Sequence, residues 1–149
     1  MKYQVIKTFT PEQGWSAAFR QWRATSHCRF LHGYALSVEL CFEASTLDAR
    51  NWVIDFGSFK RLKEDIADVF DHKTVIAEDD PNRDDFERLH ELGVLDLEVL
   101  PNVGCEAFAE WVAYMTENWL KVEQPVANGV RLVYVEVREH ASNASRFYP

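Results

Sequence analysis

From His32 to Phe42 every second residue carries a ring or a branched apolar side chain: His32, Tyr34, Leu36, Val38, Leu40 and Phe42, with Ser37 and Glu39 among the residues between them. A period of two places the first set on one face of an extended chain and the second on the other. The segment therefore reads as a strand with one buried face, and the rest of the chain must supply its apolar cover. The same period points His32 and Tyr34 the same way.

Two segments have the spacing of amphipathic helices that would lie on such a sheet. In the first, Phe59, Leu62, Ile66, Val69 and Phe70 form a stripe behind Gly57-Ser58, with Ser58 expected as the cap and the end near Asp71-His72. In the second, Phe108, Trp111, Val112, Met115 and Trp119 follow Pro101-Asn102-Val103-Gly104. Tyr3 to Thr8 is β-prone and closes at Pro11-Glu12-Gln13-Gly14, while Trp52 to Phe56 is a brief extended stretch. Glu78 to Asn82 is a polar loop, Arg83 to Glu91 a short helix ending at Gly93, and Leu95 to Leu100 a small strand. Pro125 and Asn128-Gly129 precede a last strand, Val130 to Glu139. The order β-β-α-(α)-α-β predicts an α+β fold in one domain spanning 1–149. One sheet covered on a single face leaves open edges, which oligomerisation would cover.

Composition narrows the function classes. A net charge of -8 disfavours nucleic acid, whose phosphates are neutralised by basic residues. No apolar run is long enough to span a membrane, and Met1 to Ile6 lacks the pattern of a signal peptide, so a cytoplasmic location is expected. The three cysteines form no Cys-x-x-Cys pair and are expected as free thiols. An anionic small substrate requires Arg20, Arg23, Arg29 and Lys73 to gather in space.

Several residues have the chemistry of a site. Cys28 lies near Arg23, His27 and Arg29, and cationic neighbours favour the thiolate that abstracts protons or attacks carbon. The competing reading, a buried structural thiol, suits Cys41 and Cys105 better. Asp71-His72 suits a carboxylate that orients an imidazole proton carrier, against a histidine that only caps a helix end. Glu106 and Glu139 can each accept paired N–H donors from a planar heterocycle; otherwise they are a first-turn acid and a solvated strand end.

The motifs resemble those of the 6-pyruvoyl-tetrahydropterin synthase and 6-carboxy-tetrahydropterin synthase family, in order and over nearly the whole chain. Trp15-Ser16-Ala17-Ala18-Phe19 is similar to F-S-A-A-H, and Cys28-Arg29-Phe30-Leu31-His32-Gly33-Tyr34 to C-x-x-L-H-G-H. Val53-Ile54-Asp55-Phe56 resembles V-x-D-F, and Phe70-Asp71-His72 resembles L-D-H. Val103-Gly104-Cys105-Glu106 resembles P-T-x-E without the Pro-Thr pair, and Val135 to His140 resembles V-x-V-x-E-T.

The resemblance implies a tunnelling fold: an antiparallel four-stranded sheet with helices on one face, joined into an oligomeric barrel as a trimer or hexamer, with active sites between subunits. It also implies a lyase acting on a substrate of the dihydroneopterin triphosphate type. Cys28, Asp71 and His72 would be catalytic, and Glu139 and Glu106 would bind the pterin. The family's cofactor is zinc held by three histidines. Here His32 alone stands at a ligand position, with Phe19 and Tyr34 replacing the other two; His27, Cys28 or His140 would have to complete a relocated shell. Two other readings stay open: a pterin- or purine-binding protein without turnover, and a metal-independent enzyme on another pterin.

Overall fold

The computed structural model describes residues 1–123 and 129–149, so Pro125 and Asn128 lie outside the described residues. The chain order is β1 (Tyr3–Phe9), β2 (Trp15–Phe19), β3 (His32–Ala44), α1 (Lys60–Phe70), β4 (Lys73–Ala77), α2 (Arg83–Glu91), β5 (Leu97–Leu100), α3 (Cys105–Glu123), β6 (Arg131–His140) and β7 (Asn143–Phe147). The alternating run is β3, and its length lets it take two partners in succession along one edge. Its first half pairs antiparallel with β2, Phe19 lying opposite His32, and its second half pairs with β1, Phe9 lying opposite Val38. Along its other edge it pairs with β6 from Ser37 to Glu43.

Among the described residues the sheet has seven strands, in the order β5-β4-β2-β3-β6-β7 with β1 also on β3, which corrects the expected four. It is also mixed, because β4 runs parallel to both β2 and β5. The strands beyond expectation are β2, β4 and β7, each five residues long. Thr74, Val75, Ile76 and Ala77 of β4 are all buried, so that strand shows no alternation to read. The cap expected at Ser58 is also corrected. Asp55 accepts from the Gly57 N–H at 2.8 Å and opens a 3-10 turn at Phe56–Phe59, whereas Ser58 Oγ donates to the Asp55 carbonyl. The helix itself starts at Lys60, behind Phe59, without a side-chain cap.

The two faces of the sheet differ in chemistry. On one, α1 and α3 cover Phe9, Phe19, Leu40 and Phe42, and rings lock the layers together. Phe59 stacks on Trp119 at 4.9 Å, and Phe108 meets Phe19 and Phe70 edge-on at 5.0 Å each. The other face is built from charge. Glu43 is held by Lys2, Gln4 and Arg131, Glu136 lies between Arg138 and Arg146, and Glu39 accepts from Tyr134. No helix among the described residues is long and apolar enough to cross a membrane.

One further ion pair ties the loops together. Arg20, just beyond β2, grips Asp80 through two hydrogen bonds, and Asp80 is only 4% exposed. Burial pushes the Asp80 carboxyl up, but the Arg20 guanidinium and the Asn82 N–H outweigh it and hold the group below its usual range. A carboxyl lowered in the folded state contributes stability above its unfolded pKa and loses it as pH falls through the folded one. Asp80→Asn should therefore cost roughly 1–3 kcal/mol at pH 7, with the gap to the parent chain closing as urea melts are repeated below about pH 4. Phe108→Ala should cost about 3–5 kcal/mol at any of these pH values, since it removes a fully buried ring shared by β2, α1 and α3.

Candidate functional site

Where β2 ends and β3 begins, their register places Phe19 opposite His32 and Ala17 opposite Tyr34. Phe19, His32 and Tyr34 consequently cluster, with ring centroids 5.1–6.0 Å apart, and His140 at the end of β6 adds a ring 6.1 Å from Tyr34. His32 Nδ1 lies 2.6 Å from the Phe30 carbonyl. A carbonyl only accepts, so Nδ1 is the donor in this contact and Nε2 is the nitrogen left for another partner.

Three other segments meet these rings. Cys28 sits on a 3-10 turn at His27–Arg29 capped by Ser26 and is partly exposed. Gln21 fixes that turn to the helix layer: its N–H donates to the Cys28 carbonyl at 2.9 Å and its side-chain amide donates to the Val103 carbonyl at 2.7 Å. Next to Val103, Gly104 has φ +111, and a β-carbon there would strike the Gln21 amide. Glycine is thus what lets the chain enter α3 at this point. The start of α3 presents Cys105 and Glu106, and the β6–β7 hairpin presents Glu139 and Asn143.

Together these segments line a cavity of about 360 Å³ that includes Cys28, His32, Tyr34, Glu106, Glu139 and Asn143. Glu139 is oriented on both oxygens. Asn143 donates to Oε1 at 2.9 Å and the Cys105 thiol lies 3.8 Å from Oε2, yet a carboxylate retains further lone pairs for a ligand. Burial, followed by the Glu139 and Glu106 carboxylates, pushes the Cys105 thiol up to about 12, so it is a neutral donor there. Burial and the Glu139 carboxylate also raise the Tyr34 phenol.

Asp71 and His72 do not join this group within one protomer. Asp71 Oδ1 lies 3.0 Å from His72 Nδ1 and accepts from the Ser16 N–H at 3.1 Å, with His72 in the left-handed region at φ +61. The pair is formed, but at the Ser16 end of β2, about 10 Å along the strand from Phe19. Sequence reasoning missed Gln21, Asn143 and the cavity-facing role of Cys105. For Cys105 the available signal was its place beside Glu106.

The family model described as 6-pyruvoyl tetrahydropterin synthase matches residues 8–149. The chain belongs to that family. A curated relative, the 6-carboxy-5,6,7,8-tetrahydropterin synthase of Aquifex aeolicus (strain VF5), is 25% identical over 99% of this chain and 98% of its own. Among solved structures, an uncharacterised protein from Wolinella succinogenes superposes with TM-score 0.82 at 24% identity, over 99% of this chain and 98% of its own. The 6-pyruvoyl tetrahydropterin synthase of Plasmodium vivax superposes with TM-score 0.67 at 15% identity, over 100% and 98%. These likenesses carry the fold.

Against the family's zinc chemistry, the donor set here does not fit. A catalytic zinc takes three protein ligands and keeps one position open. Phe19 offers no donor atom, the Tyr34 phenol is held further from ionisation than usual, and His32 supplies one nitrogen. Among the described residues no three His, Cys, Asp or Glu side chains converge to hold a metal, so the shell drawn from His27, Cys28 or His140 is not assembled.

The three thiols should separate by reactivity. In the folded chain iodoacetamide at pH 8 should label Cys28, the one thiol that is not buried, and leave Cys41 and Cys105 intact. Peptide mass spectrometry reads this directly; labelling of Cys105 as fast as Cys28 would contradict the geometry.

Proposed function

We propose that this chain is a pterin-site lyase of the family, related in reaction type to 6-carboxy-tetrahydropterin synthase. The observation that carries the proposal is the meeting of Cys28, Glu106 and Glu139, far apart in sequence, around one cavity of about 360 Å³. That volume suits a bicyclic heterocycle with a short side chain. Glu139, preset by Asn143 and Cys105, accepts the 2-amino and ring N–H pair, and Glu106 closes on the same edge. The geometry thus supports the heterocyclic half of a dihydroneopterin triphosphate-type substrate.

Cys28, on the lining of the same cavity, is the group that takes a proton from the side chain. His72, oriented by Asp71, is the donor that returns one to the ring. Because this pair lies at the far end of β2, the reading requires a second copy of the chain to bring it to the cavity. Support for such assembly comes from the sheet edges: among the described residues β1, β5 and β7 each have one strand partner. A second reading, pterin binding without turnover, is favoured by the missing three-ligand metal shell and by the distance of Asp71-His72 from Cys28.

Two experiments test the proposal. Glu139→Gln should weaken the binding of neopterin by about 2 kcal/mol, followed by its fluorescence, since one acceptor becomes a donor facing a donor edge. Turnover of dihydroneopterin and its triphosphate is then followed by chromatography for Cys28→Ala, His72→Ala and the two chains refolded together. Each variant alone should be inactive and the mixture should recover roughly a quarter of the parental activity, the share of mixed sites in which both wild-type groups meet. A parent chain that binds neopterin and turns over neither substrate selects the second reading; an inactive mixture of two individually inactive variants defeats the shared site.

A further inference from the structure

The cavity differs from a metal-centred one in its wall and in its charge. Phe19 is 3% exposed and held edge-on to Phe108 with an interplanar angle of 82°, so the ring is part of the core as well as of the wall. Tyr34 stands 5.5 Å from it and His32 6.0 Å, the separations of rings packed for aromatic contact. Both carboxylates, Glu106 and Glu139, also line the cavity, and among the described residues of this copy no Lys or Arg does. The cations that would have to gather for an anionic ligand are engaged elsewhere. Arg20 is bound to Asp80, Arg23 to Asp79 and Lys73 to Asp96, while Arg29 lies over the Phe30 ring.

We infer that this pocket takes an unphosphorylated, planar nitrogen heterocycle and holds it without a metal ion, against the rings of Phe19, His32 and Tyr34 and with its donor edge on Glu139 and Glu106. The ligand half of this inference rests on the pterin-site reading above. A flat ring system gains contact area on such a wall, and its N–H groups complement the carboxylates. A polyphosphate tail instead places several negative charges beside two carboxylates, with no lining cation from the same copy of the chain to offset them. The residues that replace the metal ligands therefore also change what the pocket selects.

Zinc alone is the first probe. Chelator-treated chain titrated with zinc chloride in a calorimeter at pH 7.5 should show no one-to-one site that His32→Ala removes. Phe19→His/Tyr34→His should gain such a site and lose it again on His32→Ala. Since Phe19 is a core residue, Tyr34→His alone serves as the milder variant, and titration of the parent chain needs no variant. One equivalent of zinc on the parent chain, abolished by His32→Ala, overturns the metal half.

Neopterin and neopterin triphosphate are the second probes, titrated by fluorescence under the same conditions. Neopterin should bind tighter by about tenfold or more, and Tyr34→Ala should weaken both. Equal or tighter binding of the triphosphate overturns the ligand half. If neither pterin binds, or if binding is indifferent to Glu139→Gln, the pterin-site reading itself fails and takes the ligand half with it. The zinc titration still decides the metal half.

Discussion

The pocket depends on the placement of one ring. Phe108, on the first turn of α3, is fully buried and meets Phe19 of β2 and Phe70 of α1 edge-on, both at 5.0 Å. Those contacts bring the N-terminal end of α3 against the end of β2, and Cys105 and Glu106 arrive beside the rings of β3 as a result. Gln21 finishes the joint by bonding the Cys28 turn on one side and the Val103 carbonyl on the other. Packing between the helical layer and the sheet brings the residues assigned to ligand binding together, and Asn143 and Cys105 then orient the Glu139 carboxylate.

Much of this was legible before any coordinates. The alternation from His32 announced β3, and the stripes at Leu62-Ile66-Phe70 and Phe108-Val112-Trp119 announced the two covering helices, since in each case one face meets water or charge and the other does not. β4 was hidden because it is buried on both faces and its run of Thr74 to Ala77 has no contrast to detect. The Ser58 cap was misplaced because Asp55, three residues earlier, reaches a backbone N–H first and diverts the chain into a 3-10 turn. Within the site, Cys28, Glu106 and Glu139, singled out through the family resemblance, line one cavity. Motif order could not tell that Asp71-His72 would form at the other end of β2, because adjacency of motifs along a chain says nothing about which end of a strand each one meets.

The two sides of the sheet differ in what could cover them. Its helix-covered face is closed by aromatic packing, while Glu43, Glu136 and Glu39 on the reverse are each satisfied by Arg, Lys or Tyr. A face finished in this manner gains little from apolar cover, since covering it would strip water from ionised groups. Association through strand edges leaves those groups hydrated.

Trp22 and Arg23 both bond Asp79 while Arg20 grips Asp80, so two adjoining carboxylates clasp three nearby residues just before the Cys28 turn. The clasp is polar and lies largely outside the aromatic core, and the two can yield separately. Acid strong enough to loosen it would leave the thiol's platform hanging on Gln21 alone, through the Cys28 and Val103 carbonyls, while the helices stayed docked on the sheet. The aim of the sulfur would then rest on one amide side chain.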